Sequence, residues 1–289
     1  RINPQNAGAY AGLGEMYDLL DQRDRALENY KKALSLDADL TELYSPIGTL
    51  HYQKGEIAEA DNYLTKALAV SADSAETQLF LGLVRYSQNR NEEAVAAFRK
   101  SIELDSNSAE AHYYLGEALD RLKNTPEAIA EYKKATELNP AYTEAWFDLG
   151  VAYYNSEKYE DAVSAYKETI KLKNDYGEAY ANLADAYRQL KRYDEAIGAY
   201  RLATAFIKTD ADIFSKFGFV SGLIAQDRSK SNFWNSAVDN LKKAVDLSPD
   251  YIDYTNLGWA YYNAAKIEEV AGNKALAQEK MQKGKAVLE

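Results

Sequence analysis

Glycine recurs at a fixed interval along this chain. Gly14, Gly48, Gly82, Gly116 and Gly150 lie 34 residues apart, Ala184 takes the next place, and Gly218 resumes the series. A period of this length is the signature of a fold assembled by stacking one small unit, and it constrains the architecture more than composition can. Twelve residues after each of the first six members stands an alanine: Ala26, Ala60, Ala94, Ala128, Ala162 and Ala196. Bulky residues follow four later, at Tyr30, Leu64, Phe98, Tyr132, Tyr166 and Tyr200. A second bulky column precedes the glycines by four: Tyr10, Tyr44, Gln78, His112, Trp146, Tyr180 and Phe214, with Gln78 its weak member.

Each unit reads as two amphipathic helices. Trp146, Leu149, Gly150 and Tyr153 follow i, i+3, i+4, i+7, which is one helical face. Ala162, Tyr166 and Thr169 form the matching stripe of a second helix. Thr125-Pro126-Glu127 predicts a helix start, with a capping hydroxyl, a proline in the first turn and an acid on the helix dipole. Asn91-Glu92-Glu93 repeats the device without proline. A mid-helix glycine costs roughly 0.5–1 kcal/mol relative to alanine. Its recurrence implies a close helix–helix contact, for which the small alanine of the second helix is the expected partner. Such a pair cannot bury both faces alone, so units must stack.

These residues resemble the tetratricopeptide repeat. Glu144-Ala145-Trp146, Leu149-Gly150, Tyr153-Tyr154, Asp161-Ala162 and Tyr166 match that family's signature almost residue for residue, and the likeness runs along essentially the whole chain. The expected fold is all-α, an α-solenoid of about eight antiparallel helix pairs, and the resemblance implies a right-handed superhelix. The expected organisation is one array over 1–289: residues 1–6 as the tail of a preceding unit, regular units at 7–40, 41–74, 75–108, 109–142, 143–176 and 177–210, and two longer units at 211–250 and 251–289. In those two, glycine and alanine stand 19 apart (Gly218 to Ala237, Gly258 to Ala277) instead of 12, which adds 7 residues each. Leu223, Ile224 and Ile267 are the expected contacts along the added turns, and Trp234 is expected in the core. Arg1-Ile2-Asn3-Pro4 resembles Glu137-Leu138-Asn139-Pro140, the end of a unit, so the sequence reads as part of a longer or processed protein.

Little is left for catalysis. The chain has no cysteine, which removes thiol nucleophiles and cysteine-held metals, and only two histidines, His51 and His112, both in columns of bulky residues. Gly284-Lys285-Ala286 lacks the hydroxyl and upstream glycine of a phosphate loop. Glu42 and Glu110 stand where calcium loops opened by Asp37 or Asp105 would need glycine. No enzyme activity, cofactor or metal is expected. With 34 basic against 45 acidic residues the net charge is −11, which would repel a nucleic acid. No apolar run of about 18 residues exists, so membrane insertion is not expected. Lack of cysteine leaves the compartment open between cytoplasm and periplasm.

The resemblance also implies that first helices line a concave, ligand-binding face. One lining column is acidic: Glu42, Glu76, Glu110, Glu144, Glu178 and Asp212. It is either a recognition feature or a dipole-stabilising choice near each helix start, worth about 0.3–1 kcal/mol. Across the middle units the lining turns apolar at Leu79, Leu83, Tyr86, Tyr113, Phe147, Val151 and Tyr154, with Glu117 and Arg188 on the same surface. The functional expectation is an aromatic-floored channel, edged by Glu76, Glu110 and Glu144, for a neutral-to-basic, partly apolar peptide or protein segment. Some members of the family clamp a terminal carboxylate with lysines and asparagines; here Asn182 with Lys216 is only a fragment of that pattern. Two alternatives stand beside the scaffold: self-association of the arrays, and a regulatory or targeting role within a larger enzyme.

Overall fold

The computed structural model describes residues 5–71, 73–228 and 231–289; the Arg1–Pro4 segment lies outside them. Among the described residues there are sixteen α-helices, one 3-10 turn (Thr41–Leu43) and no strand. Contacts divide the chain into two compact units, Arg1–Ala145 and Trp146–Glu289. The first holds α1 (Ala7–Leu19), α2 (Arg23–Leu36), α3 (Tyr44–Gln53), α4 (Ile57–Val70), α5 (Ala75–Ser87), α6 (Asn91–Leu104), α7 (Ala109–Arg121) and α8 (Thr125–Leu138). The division falls inside α9 (Thr143–Asn155). The second unit continues through α10 (Tyr159–Leu172), α11 (Gly177–Gln189), α12 (Tyr193–Phe206), α13 (Ala211–Arg228), α14 (Ser231–Leu247), α15 (Tyr251–Val270) and α16 (Lys274–Leu288). Odd helices pair with the even helices that follow them, and each pair stacks on the next within its unit, the α-solenoid arrangement.

The glycine column does seat a neighbouring helix, but its nearest partner is the bulky residue rather than the alanine, which is among the nearest contacts only at Gly218, through the Ala237 carbonyl at 3.0 Å. A side-chain carbon at Gly82, Gly116 or Gly150 would lie 2.5, 2.7 or 2.6 Å from a ring atom of Phe98, Tyr132 or Tyr166. These are the bulky residues one turn beyond the alanine column. Glycine therefore leaves room for a bulky side chain laid across the helix backbone, an aromatic ring in these three and Leu64 or Leu241 at Gly48 and Gly218, where backbone atoms of the second helix also come within 3.0 Å. The alanines are fully buried beside it: Ala26, Ala60, Ala94, Ala128, Ala162 and Ala196 expose no surface.

Helix starts also differ from expectation by one residue. α8 is preceded by Asn124, and Thr125 is already helical, so its hydroxyl caps nothing. α6 likewise starts at Asn91 after Arg90, with no side-chain cap. Serine and asparagine caps occur instead before α1, α5 and α7, where Asn6, Ser74 and Ser108 accept from the N–H of Ala9, Thr77 and Ala111 at 3.0–3.1 Å. The turn inside each regular pair is made by a left-handed residue at the same 34-residue spacing: Asp21, Gly55, Asn89, Lys123, Glu157 and Lys191, with φ from 53° to 76°. The next N–H closes each turn back onto the first helix, as in Arg90 N to Arg85 O and Lys158 N to Tyr153 O, both 2.9 Å. Glycine, asparagine and aspartate, which enter this conformation most readily, fill three of the six, so the turn carries only a partial sequence signal.

The last two pairs are longer. α13 and α15 have 18 and 20 residues against 13 in α11. Ile224 is buried, Ile267 packs on the core formed by Ala225, Trp234, Leu257 and Ala264, and Trp234 meets Trp259 edge-on at 4.9 Å. His51 and His112 are buried too, each with Nδ1 against a carboxylate, Glu56 and Glu131 respectively.

Candidate functional site

Odd helices carry the faces that sequence singled out, and each unit is best taken by itself. In the first unit Glu76, Glu110 and Glu144 are exposed in the first turns of α5, α7 and α9. Three of the apolar positions are not open lining: Leu79, Leu83 and Tyr113 expose only 8%, 3% and 8% of their surface. α5 touches both α3 and α7 as well as its own partner α6. Tyr113 is enclosed by Tyr114, Tyr132 and Tyr142, with ring centroids 5.0, 6.0 and 4.8 Å away.

Tyr86 and Glu117 remain half-buried and meet, the tyrosine hydroxyl donating to Oε1 of Glu117 at 3.3 Å. The Arg121 guanidinium lies over the same ring, 3.7 Å from its centroid. A tyrosine thus ties one odd helix to the next, and the tie recurs. The Tyr154 hydroxyl accepts from Gln189 at 3.1 Å in the second unit. Next to these, Tyr52, Tyr114 and Tyr142 stand close enough to Glu110 and Glu117 for the carboxylates to act on their phenols. Glu144 acts on the last two as well. Burial, reinforced by Glu117, pushes Tyr86 up to about 12; burial, reinforced by Glu110, pushes Tyr114 up to about 12; burial, reinforced by Tyr114 and then Glu110, raises Tyr142. Glu110 is exposed as a residue, yet the groups crowding its carboxyl strip it of some water and raise it.

In the second unit Phe147, Val151 and Tyr154 are half-buried. Phe147 stacks on Tyr176 at 4.9 Å, as Tyr113 meets Tyr142 one period earlier. Val151 and Tyr154 line a cleft of about 210 Å³ with Asn155, Tyr166, Asn182 and Asp185. A second cleft of about 280 Å³ shares Asn182 and Asp185 and is lined further by Glu178, Tyr200, Asp212 and Lys216, among others. Between them Asp185 gathers three donors: Tyr200 Oη at 2.5 Å, Lys216 Nζ at 2.9 Å and Arg188 Nε at 3.4 Å. Lys216 is also paired with Asp212 at 2.6 Å. Burial works against the Lys216 charge, but the two carboxylates outweigh it and the net shift is upward. Arg188 and Lys216 are therefore committed to acids of the chain itself, and neither is a spare cation for a ligand carboxylate.

Sequence reasoning did not select Tyr142, Tyr176, Asn155 or Tyr166. Tyr142 and Tyr176 had a readable signal, being 34 apart and just ahead of α9 and α11. Among the described residues no His, Asp or Glu cluster could hold a metal ion, and no helix is long and apolar enough to cross a membrane.

Comparison with known proteins agrees with this geometry. Tetratricopeptide-repeat profiles match residues 7–40 and 41–74, 82–123 and 121–156, and 147–211. Among curated proteins none matches the chain. Among solved structures, MamA is 29% identical over 61% of this chain and 96% of its own, with a TM-score of 0.55. YrrB, described as a TPR protein with an unusual peptide-binding site, is 26% identical over 61% and 91%, with a TM-score of 0.54. The C-terminal part of a TPR repeat-containing protein from Cytophaga hutchinsonii covers 84% of this chain and 98% of its own at 16% identity, a likeness of fold alone, with a TM-score of 0.67. With its helix pairs, its ring-on-glycine seats and these matches, the chain belongs to the tetratricopeptide repeat family, whose members are protein-interaction scaffolds.

Proposed function

We propose that this chain is a non-enzymatic scaffold holding a peptide or protein segment on the faces of its odd helices, with a preference for neutral-to-basic, partly apolar sequences. The observation that carries this is the pairing of half-open aromatic and aliphatic side chains with exposed carboxylates on those faces. Tyr86, Tyr114 and Tyr142 accompany Glu110 and Glu144 in one unit, and Val151 and Tyr154 line a cleft with Asn155 and Asn182 in the other. Amides and apolar walls together suit a main chain carrying apolar side chains. The peptide-binding site described for YrrB supports the same reading. Peptides selected by display against the whole chain should bind with a 1:1 stoichiometry in calorimetry. Val151→Lys, a change at the cleft wall, should weaken them about tenfold. Unchanged affinity would remove the cleft from the binding face.

A second reading, self-association, has one observation of its own. Met16, Leu19 and Leu20 on and after α1 are 61%, 83% and 63% exposed. The residues in register with Met16 on α3, α5 and α7 are Leu50, Val84 and Ala118, all 1% exposed or less. Sedimentation over a wide concentration range should then reveal a dimer that Met16→Lys with Leu19→Lys abolishes. A monomer at every concentration would eliminate this reading.

A further inference from the structure

Two clefts of the second unit lie on either side of α11 and share a wall. The first, of about 210 Å³, opens between α11 and α9; the second, of about 280 Å³, opens between α11 and α13. Asn182 and Asp185, one turn apart on α11, line both. Each cleft has a rigid back, because Tyr166 in the first and Tyr200 in the second are 1% and 0% exposed.

The clefts differ in charge. Among the described residues Asp185 is the one acid lining the first, and its carboxylate is already taken. Oδ1 accepts from Tyr200 at 2.5 Å and from Arg188 at 3.4 Å, and Oδ2 from Lys216 at 2.9 Å. What the first cleft offers a ligand is therefore Val151, the Tyr154 ring and the amides of Asn155 and Asn182. A cation entering it would lose water and find no free carboxylate. A cavity of about 150 Å³ holds a benzene ring, so this one has room for a branched aliphatic or phenyl side chain.

The second cleft adds Glu178, Asp210 and Asp212 to Asp185, against Lys216 alone. Acids on a surface say little by themselves. Here Lys216 shows an ammonium already held within the cleft, by Asp185 at 2.9 Å and Asp212 at 2.6 Å. Ile207 and Ile213 in the wall suit the methylene stem of a long cationic side chain. Counting Arg188, which reaches Asp185 from outside the cleft wall, four carboxylates meet two cations. The starts of α11 and α13 offset about half a charge each, so roughly one negative charge is left uncompensated. One further cation would balance it. The two clefts stand one helix spacing apart, roughly 8–10 Å. An extended chain advances about 3.3 Å per residue, so side chains two or three positions apart reach both.

We infer that α11 separates two side-chain subsites for the bound segment: an uncharged apolar residue enters the cleft on the α9 side, and a lysine or arginine two or three positions away enters the cleft on the α13 side. This rests on the reading that the chain holds a peptide on its odd helices. It fixes order as well as composition, because the first cleft has no carboxylate to spare for a cation.

The test uses the whole chain and the tightest peptide recovered from a random display library. Selected sequences should share an apolar residue two or three positions from a lysine or arginine. In the best of them, norleucine for the lysine or citrulline for the arginine keeps the shape and removes the charge, and should weaken binding about tenfold. In Glu178→Gln/Asp212→Asn protein, whose altered side chains are exposed, the same replacement should cost no more than about twofold. Serine for the apolar residue should cost as much there as in the unaltered chain. In Val151→Lys protein the pattern should invert, with the serine penalty falling and the charge penalty retained. The replacements on the unaltered chain read the inference even if a variant loses helix content. Selected peptides without the pairing, or a charge penalty equal in the unaltered and the Glu178→Gln/Asp212→Asn proteins, would overturn the inference. If removing the charge is neutral while Val151→Lys still weakens binding, the second subsite falls and the scaffold stands. If no peptide binds at all, both fall.

Discussion

Tyr166→Ala is expected to destabilise the second unit by about 4 kcal/mol, in the range for removing a buried aromatic side chain. Tyr166 is 1% exposed and lies across the α9 backbone at Gly150. Gly150→Val approaches the same contact from the other side. A branched side chain there begins with a carbon 2.6 Å from the ring, which cannot retreat, and about 3 kcal/mol of overpacking should follow. The two penalties should not add, because removing the ring makes space for the valine. A double-mutant cycle followed by urea unfolding should give a favourable coupling of about 2 kcal/mol. Strict additivity would mean that ring and glycine are unrelated. Gly12→Ala is the control: a carbon there meets nothing within 4 Å, so stability should rise by about 0.5–1 kcal/mol.

Alkaline pH should unfold this protein cooperatively. Burial, with Asp185 beside it, holds the Tyr200 hydroxyl far above its ordinary range. Burial with the neighbouring Tyr154 and Asp185 does the same to Tyr166. Burial likewise takes Tyr30, Tyr86 and Tyr114 up to about 12, and Lys216 shifts upward as well. All of these groups bind protons more tightly in the folded chain than in the unfolded one, where tyrosine titrates near 10. Their contribution is therefore complete below about pH 10 and is lost as pH rises toward the folded values, because the unfolded state releases protons first. Each fully buried hydroxyl, Tyr166 and Tyr200, should remove about 1.4 kcal/mol per pH unit above that point. Helix content by circular dichroism and tyrosinate absorbance should change together between about pH 10.5 and 12. Full tyrosine ionisation near pH 10 with helices intact would show that these hydroxyls are not sequestered.

Much of the fold is legible in the sequence because a period survives variation in any one unit. The 34-residue glycine spacing places every regular helix pair, although Ala184 interrupts it. What spacing cannot decide is which of two residues one turn apart meets the glycine. Ala162 and Tyr166 share a helical face, and only packing shows that the ring takes the seat while the alanine fills the space beside it. Three of the turn positions are illegible for another reason. Lys123, Glu157 and Lys191 adopt a left-handed conformation that their side chains do not advertise, held by backbone hydrogen bonds from the closing turn. The candidate site is legible by column but not by depth. Periodicity puts Leu79, Tyr113 and Phe147 in one row, yet exposure depends on what crosses over them. Tyr142 and Tyr176 lie between helices, where no helical periodicity reaches, and they enclose Tyr113 and Phe147. The Asp185 network is likewise a three-helix meeting of residues from α11, α12 and α13, which no single stripe contains.

Hydrogen–deuterium exchange with and without a saturating display-selected peptide asks most directly whether the odd helices present the binding face. Protection should appear in α5, α7, α9 and α11, above all around Glu110–Tyr114, Val151–Asn155 and Asn182–Asp185, with the even helices unchanged. Protection confined to α6, α8, α10 and α12, or a bound peptide that leaves every odd helix exchanging as before, would place the partner elsewhere and contradict the account.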